Sequence, residues 1–250
     1  MDSFLLIGQS NMAGRGKLQD AHEIDTSRIY TLRNGRWQEM FRPLHPDRSF
    51  SGVCLAESFA ERYAQKYDMD VGLICCADGG TSLDQWQPGE LLFDNAVFQA
   101  KLAQRTSRIV GVLWHQGESD CFAELYPTYQ VRFENMMRAF RNELDLQDVP
   151  FIVGGLGDFL KESNYLKNCC DNYIYVNQAL KKIAAENPMT GFASAEGLTS
   201  NSDHLHFNAE SLYEFGLRYF DAFERLGGIG DQTHDAGQKE DLIRTKLELL

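Results

Sequence analysis

The chain lacks any uninterrupted apolar run of about 18 residues, the length that a membrane-spanning helix requires, although 43% of its 250 residues are hydrophobic. No membrane partner is expected. It also lacks positive charge: 24 Lys and Arg stand against 36 Asp and Glu, for a net charge of -12, with no basic stripe anywhere along the chain. That balance argues against a nucleic-acid partner, because phosphate backbones are bound through clustered Lys and Arg. Neutral substrates fit a negative field most easily. No CxxC spacing is present, and the six cysteines, Cys54, Cys75, Cys76, Cys121, Cys169 and Cys170, stand as two adjacent pairs and two singletons. Such an arrangement is no spaced disulfide framework. Cys75 and Cys76 lie in an apolar run where a thiol acts as a small hydrophobe, so a reducing, cytoplasmic compartment is expected. There is no basic n-region, apolar h-region or small-residue cleavage site at the amino terminus, and secretion stays open if a leader has been removed. Internal repeats and low-complexity segments are absent as well.

What is present is an alternation of short apolar runs with helical patterns. Ser3–Ile7, Val71–Cys76, Arg108–Trp114, Pro150–Gly154 and Gly191–Ala195 read as strands. Val53–Tyr67, Tyr126–Leu144, Tyr173–Glu186 and Ala209 to about Leu226 carry apolar residues at helical spacing. Continuous apolar strands separated by helices imply a parallel sheet covered on both faces. Residues 22 to 51 read as irregular, with Asn34-Gly35, Pro43 and Pro46 as turn signals, and are expected to fold over the site or to edge the sheet. The domain is expected to span residues 1–226. A helical tail is expected over 227–250, after Gly227-Gly228, and Leu242, Ile243, Leu247 and Leu250 on one face would pack on the domain or make a homo-oligomer contact.

In such sheets reactive groups gather at the carboxyl ends of the strands, and each chemically loaded segment of this chain falls there. Gly8-Gln9-Ser10-Asn11-Met12 follows the first strand, Gly79-Gly80 the second, and Trp114-His115-Gln116-Gly117-Glu118-Ser119-Asp120 the third; Asp203-His204-Leu205-His206-Phe207 follows the last. Hydrolysis by a serine needs a nucleophile, a base, a group that orients the base, and donors for the oxyanion. Ser10 is the candidate nucleophile, although a lone serine in a strand-to-helix turn is more often an N-cap. A GxSxG elbow is missing, since Met12 stands where its second glycine would be. His206 is the candidate base, with Asp203 three residues earlier to fix its tautomer; His204 competes for that role. The Ser10 N–H, a Gly79 or Gly80 N–H and the Gln116 side-chain amide are candidate oxyanion donors. Glu118 is read two ways: as a second carboxylate near the histidine, or, preferred, as a buttress hydrogen-bonded to backbone N–H groups around the Ser10 turn.

These four segments together resemble the SGNH-hydrolase superfamily. More narrowly they are similar to its branch of sialate O-acetylesterase-like proteins and acetylxylan esterases, carbohydrate esterase family six. The match runs from residue 8 to about 207, and the HQGE-type segment is its most distinctive part. The resemblance implies a flavodoxin-like three-layer α/β/α sandwich and deacetylation of carbohydrates with no cofactor or metal. It carries over Ser10, His206 and Asp203 as the catalytic set, with Ser10, Gly79-Gly80 and Gln116 at the oxyanion. Trp86 is expected as a pocket wall or a core residue, and Asn11 and His115 as pocket residues. An acetylated xylan oligomer, another acetylated sugar or an acetylated sialic acid would be the substrate, with specificity in residues 22–51, 85–95 and 158–171. Arg15, Arg42 and Arg48 would either hold a sialic acid carboxylate or be solvated surface residues. Three rivals stay open: a zinc hydrolase using His115, Glu118, Asp203, His204 and His206; a sugar-binding protein without turnover; and acyl transfer to a sugar instead of water.

Overall fold

The first strand, β1 (Asp2–Gly8), carries Phe4, Leu5, Leu6 and Ile7, all fully buried in the computed structural model. Neighbouring side chains on a strand point to opposite sides, so consecutive apolar residues are buried only when both faces are covered. Phe4 and Leu6 accordingly join one core, and Leu5 and Ile7 the other. The structure describes residues 1–122 and 124–228. The tail expected to be helical lies outside the described residues from position 229 onward.

The remaining strands are β2 (Ile29–Arg33), β3 (Arg36–Glu39), β4 (Val71–Cys75), β5 (Arg108–His115), β6 (Phe151–Gly154) and β7 (Thr190–Ala193). Among the described residues they form one seven-stranded sheet in the order β3-β2-β4-β1-β5-β6-β7, parallel except for the β2–β3 pair. Helices α2 (Ala56–Tyr67) and α6 (Ala209–Arg225) cover one face, where Phe59, Tyr63, Phe215 and Phe223 pack with Phe4. The other face is covered by α3 (Leu91–Ala103), α4 (Tyr129–Leu144) and α5 (Tyr173–Glu186), through Phe93, Phe133, Phe140, Val176 and Ile183. This is the expected three-layer sandwich. Without the β2–β3 hairpin the order is that of a flavodoxin-like sheet, and β1 is the strand at which the direction of winding reverses. Ligands bind outside the carboxyl end of the strand at such a switch point.

Several local expectations need correction. Residues 22–51 are not simply irregular: the Asn34-Gly35 turn, with both residues at positive φ, closes the β2–β3 hairpin on the sheet edge. Helix α3 occupies a stretch read in part as a variable loop. Its pattern is blurred because Leu91 and Phe98 point outward, so apolar residues mark both of its faces. Helix α2 begins at Ala56 and not at Val53, because Val53 pairs with Gly16 through two backbone hydrogen bonds of 2.8 and 3.2 Å. A tight turn over Tyr126–Thr128, carrying Pro127, precedes α4. No helix of the described residues is long and apolar enough to cross a membrane.

Candidate active site

Gly8 ends β1 at φ +132°, and a Cβ there would lie 2.1 Å from the His115 carbonyl oxygen. Only glycine adopts this backbone and permits so close an approach of β5. After it the chain bends sharply at Gln9, and Ser10 opens the single helical turn α1 (Ser10–Ala13). As the first residue of that turn, Ser10 has an N–H with no intrahelical partner. Gln9 binds the turn to the segment after β5, its Oε1 accepting from the Gly117 and Ser119 N–H groups at 3.4 and 3.3 Å.

His206 reaches Ser10 from the loop before α6. Its Nε2 is 3.1 Å from Ser10 Oγ, and its Nδ1 is 2.7 Å from Asp203 Oδ2. The other Asp203 oxygen accepts the Leu205 and His206 N–H groups, both at 3.0 Å. Partial burial works against ionisation of Asp203, but the hydrogen bonds from His206 and Leu205 outweigh it and bring its pKa down to about 2. Asp203 is therefore charged at neutral pH and holds His206 with Nδ1 protonated and Nε2 facing the serine. Asn201 fixes the loop from behind. Its N–H donates to the His206 carbonyl at 2.8 Å, and its side chain donates to the carbonyls of Arg15 and Phe207 at 3.0 and 3.3 Å. Helix α6 then starts at an Asn208 cap, whose side chain accepts the Ser211 N–H. His204 turns away from Ser10, with Nδ1 3.6 Å from Glu162.

Four residues expected in the pocket or at the oxyanion lie elsewhere. The Gln116 amide is fully buried and donates to the Thr81 carbonyl at 3.1 Å and to Asp120 Oδ2 at 2.5 Å, so its two N–H bonds are engaged away from Ser10. Trp86 is a core residue; its Nε1 donates to Thr81 Oγ1, and its ring meets Trp114 edge to face. His115 is also fully buried, between Tyr219 and Glu118, with Phe207 and Phe215 against its ring. The Asn11 side chain is buried and grips the loop that carries His206, donating to the Leu205 carbonyl at 3.1 Å and accepting the Phe207 N–H at 3.1 Å.

Glu118 is neither beside His206 nor bonded to backbone around the Ser10 turn. Its Oε1 accepts from the Asn11 amide and lies 3.3 Å from His115 Nε2, while Oε2 has no hydrogen-bond partner among the described residues. Burial opposes its charge, but the contacts with His115 and Asn11 prevail and keep its carboxyl below the usual range. It braces the Ser10 turn through a side chain, which spacing alone does not reveal.

Around Ser10 opens a cleft of about 300 Å³, bounded by Gly80 and His206 and by Arg48, Phe50 and Tyr165. The N–H of Gly79 donates to Asp47 Oδ2 at 2.9 Å. Gly80 is exposed and turns at φ +80°, with no hydrogen bond to its N–H among the described residues. Asp47, which the sequence did not single out, also takes two hydrogen bonds from Arg15, at 2.7 and 3.1 Å, and one from Ser51. Burial would raise its pKa, but the bonds from Arg15, Ser51 and Gly79 lower it. Arg15 is thus a buried, paired residue and not a solvated one. Arg42 pairs with Glu57 and lines no part of this cleft. Among the described residues no three His, Cys, Asp or Glu side chains converge as metal ligands.

Comparison with known proteins places the chain among carbohydrate esterases. The sequence model of one family, described as carbohydrate esterase, sialic acid-specific acetylesterase, matches residues 1–225. A protein of Arabidopsis thaliana named "probable carbohydrate esterase" is 28% identical over 88% of this chain and 89% of its own length. Its crystal structure superposes with a TM-score of 0.79, covering 90% of this chain and 98% of that one. NanS shares the fold at 17% identity, with a TM-score of 0.68 over 90% of this chain and 97% of its own. So does a carbohydrate acetylesterase of Xanthomonas citri, at 17% identity and a TM-score of 0.65, over 90% of this chain and 56% of that one.

Proposed function

The chain belongs to the carbohydrate esterase family of sialic acid-specific acetylesterases, and from that premise we propose that Ser10, His206 and Asp203 remove O-acetyl groups from a carbohydrate through an acetyl-enzyme. The observation that carries this reading is the unbroken contact from Ser10 Oγ to His206 Nε2 at 3.1 Å and from His206 Nδ1 to Asp203 at 2.7 Å. Serine oxygen is a weak nucleophile until a base takes its proton as the bond forms. Neutral His206 takes that proton at Nε2, and the Asp203 charge stabilises the imidazolium that results.

The ester carbonyl docks with its oxygen toward the N–H groups of Ser10 and Gly80, which have no partner among the described residues and flank the nucleophile. Attack places negative charge on that oxygen, where fixed donors act most strongly; each is typically worth about 3 kcal/mol of barrier. The imidazolium returns its proton to the sugar oxygen, and the sugar alcohol leaves. Water, activated by the same histidine, then releases acetate. The cleft volume of about 300 Å³ suits an acetyl group with a single sugar ring at its mouth.

The test is replacement of Ser10 by Ala. Hydrolysis of 4-nitrophenyl acetate should be lost with an unchanged thermal melt, and a fluorophosphonate should label the native protein at Ser10 alone. Turnover by S10A close to that of the native chain would remove the assignment.

A further inference from the structure

Large apolar side chains rarely stay in water without a reason when several border one concavity. Phe50 is 68% exposed and Tyr165 48% exposed, yet both line the cleft that holds Ser10 and His206. They come from segments far apart in sequence, one before α2 and the other between β6 and α5. Neither is a free loop tip. The Arg15 guanidinium lies 5.3 Å from the centroid of the Phe50 ring, and the Tyr165 ring meets Phe122 edge to face at 6.3 Å. Each ring is thus held from one side while it lines the cleft.

The charges of the same walls are already matched. Arg15 is paired in a fork with Asp47, both almost fully buried. Arg48 lies 3.0 Å from Asp78 and donates to the carbonyls of Asp47 and Gly79 at 2.7 and 2.8 Å. Arg15 and Arg48 are the only Lys or Arg lining the cleft among the described residues, and neither is unpaired. A ligand carboxylate would have to displace Asp47 to reach the buried Arg15, and at Arg48 it would share a guanidinium already held by Asp78 and two carbonyls. At Arg15 one pair is broken for each pair made, and at half-exposed Arg48 water and Asp78 weaken any further pair, so neither gains a ligand carboxylate much.

A pyranose suits the walls without such an exchange. The C–H bonds on its faces carry slight positive charge and pack on the negative face of an aromatic ring, while its hydroxyls remain at the wet mouth. We propose that Phe50 and Tyr165 form the sugar subsite of this enzyme, and that it takes neutral acetylated pyranosides in preference to acidic sugars. The inference rests on the esterase reading above and narrows it, since the family's description names an acidic sugar.

The experiment uses the full chain with Phe50→Ala, Tyr165→Ala and the double variant, each checked by thermal melt. Three substrates separate the questions: ethyl acetate, whose alcohol has no ring; acetylated xylobiose; and 9-O-acetyl-N-acetylneuraminic acid alongside its methyl ester. Each single substitution should lower kcat/KM for acetylated xylobiose by about five- to ten-fold, chiefly through KM, with ethyl acetate within about two-fold of native. The sialic acid methyl ester should be hydrolysed at least as well as the free acid. Equal losses on ethyl acetate and xylobiose, no loss on xylobiose, or a ten-fold preference for the free acid would each overturn the subsite. A native chain inactive on ethyl acetate, 4-nitrophenyl acetate and every sugar would instead overturn the esterase reading.

Discussion

The Asn11 side-chain amide donates to the Glu118 carboxylate and at the same time binds the backbone on both sides of His206, through the Leu205 carbonyl and the Phe207 N–H. The residue that follows Ser10 therefore sets the position of His206. Glu118 orients that residue, while its own Oε2 has no hydrogen-bond partner among the described residues. The 3.1 Å contact between Ser10 and His206 thus depends on a buried amide.

Asn11→Ala should lower kcat by about 10²-fold with little change in KM, because displacement of a catalytic group by roughly 1 Å costs that much. Glu118→Gln separates bracing from acid–base work. An amide oxygen still accepts from Asn11, so E118Q should keep kcat within about ten-fold of native, whereas a carboxylate needed to stabilise imidazolium would not tolerate that change. If E118Q loses as much activity as a change at Asp203, Glu118 belongs to the catalytic set.

Asp203→Asn should cost about 10⁴-fold in kcat, since an amide at that point can donate to Nδ1 and turn the imidazole to the wrong tautomer. The contact also has a pH signature. The pKa of Asp203 is depressed to about 2, below its unfolded value of about 3.9. A depressed carboxyl contributes stability that is fully present above the unfolded value and is lost as pH falls through the folded one. The difference in melting temperature between native and D203N should be constant from about pH 5 upward and shrink between about pH 4 and pH 2. Half of the Asp203 side chain faces solvent, which keeps the difference modest. Melts of both proteins across that window check the sign.

Gly8→Ala should destabilise the chain by at least about 3 kcal/mol, through a strained backbone together with a Cβ forced onto the His115 carbonyl. The clash is with backbone of the neighbouring strand, so no side chain can rotate to relieve it. A soluble G8A protein that melts within a degree or two of native would contradict the packing described for β1 and β5.

How far the site could be read in advance follows from what a strand end reveals. The contact of Ser10, His206 and Asp203 was foreseeable in part, because Ser10 directly follows a core strand and Asp203 and His206 are only three residues apart. Side-chain direction was not legible. His115 ends β5 and Asn11 lies next to Ser10, yet both point into the core, against Phe215 and Glu118. The same holds for Trp86, whose indole N–H finds Thr81 inside the fold. Asp47, Phe50 and Tyr165 carry no local pattern at all, because they reach the cleft through the tertiary course of long loops. The pair Gly79 and Gly80 was read as one signal, but Asp47 takes the first N–H and leaves the second. In the fold, the alternating strands and helices showed the sandwich, and the β2–β3 hairpin was hidden because its strands are short and β3 is largely exposed.

Gln116→Ala tests the largest departure from expectation. An oxyanion donor contributes to the transition state and little to the resting fold, so its loss should spare stability and cut kcat by about 10²- to 10³-fold. The geometry assigns Gln116 the opposite balance. Its amide bridges the Thr81 carbonyl and Asp120, and its Oε1 lies 3.2 Å from the Tyr129 hydroxyl. Truncation leaves the buried Thr81 carbonyl without its donor, at a cost of about 1–3 kcal/mol for such a group, takes one hydrogen bond from Asp120 Oδ2, which keeps the Leu83 N–H, and also opens a cavity beside Trp114 and Tyr129. Q116A should therefore melt several degrees lower, while kcat of the folded enzyme stays within about ten-fold of native. Denaturant unfolding and 4-nitrophenyl acetate kinetics on one preparation distinguish the two patterns. A stable Q116A protein with kcat reduced 10²-fold would return the amide to the oxyanion and require it to swing away from Thr81 during turnover.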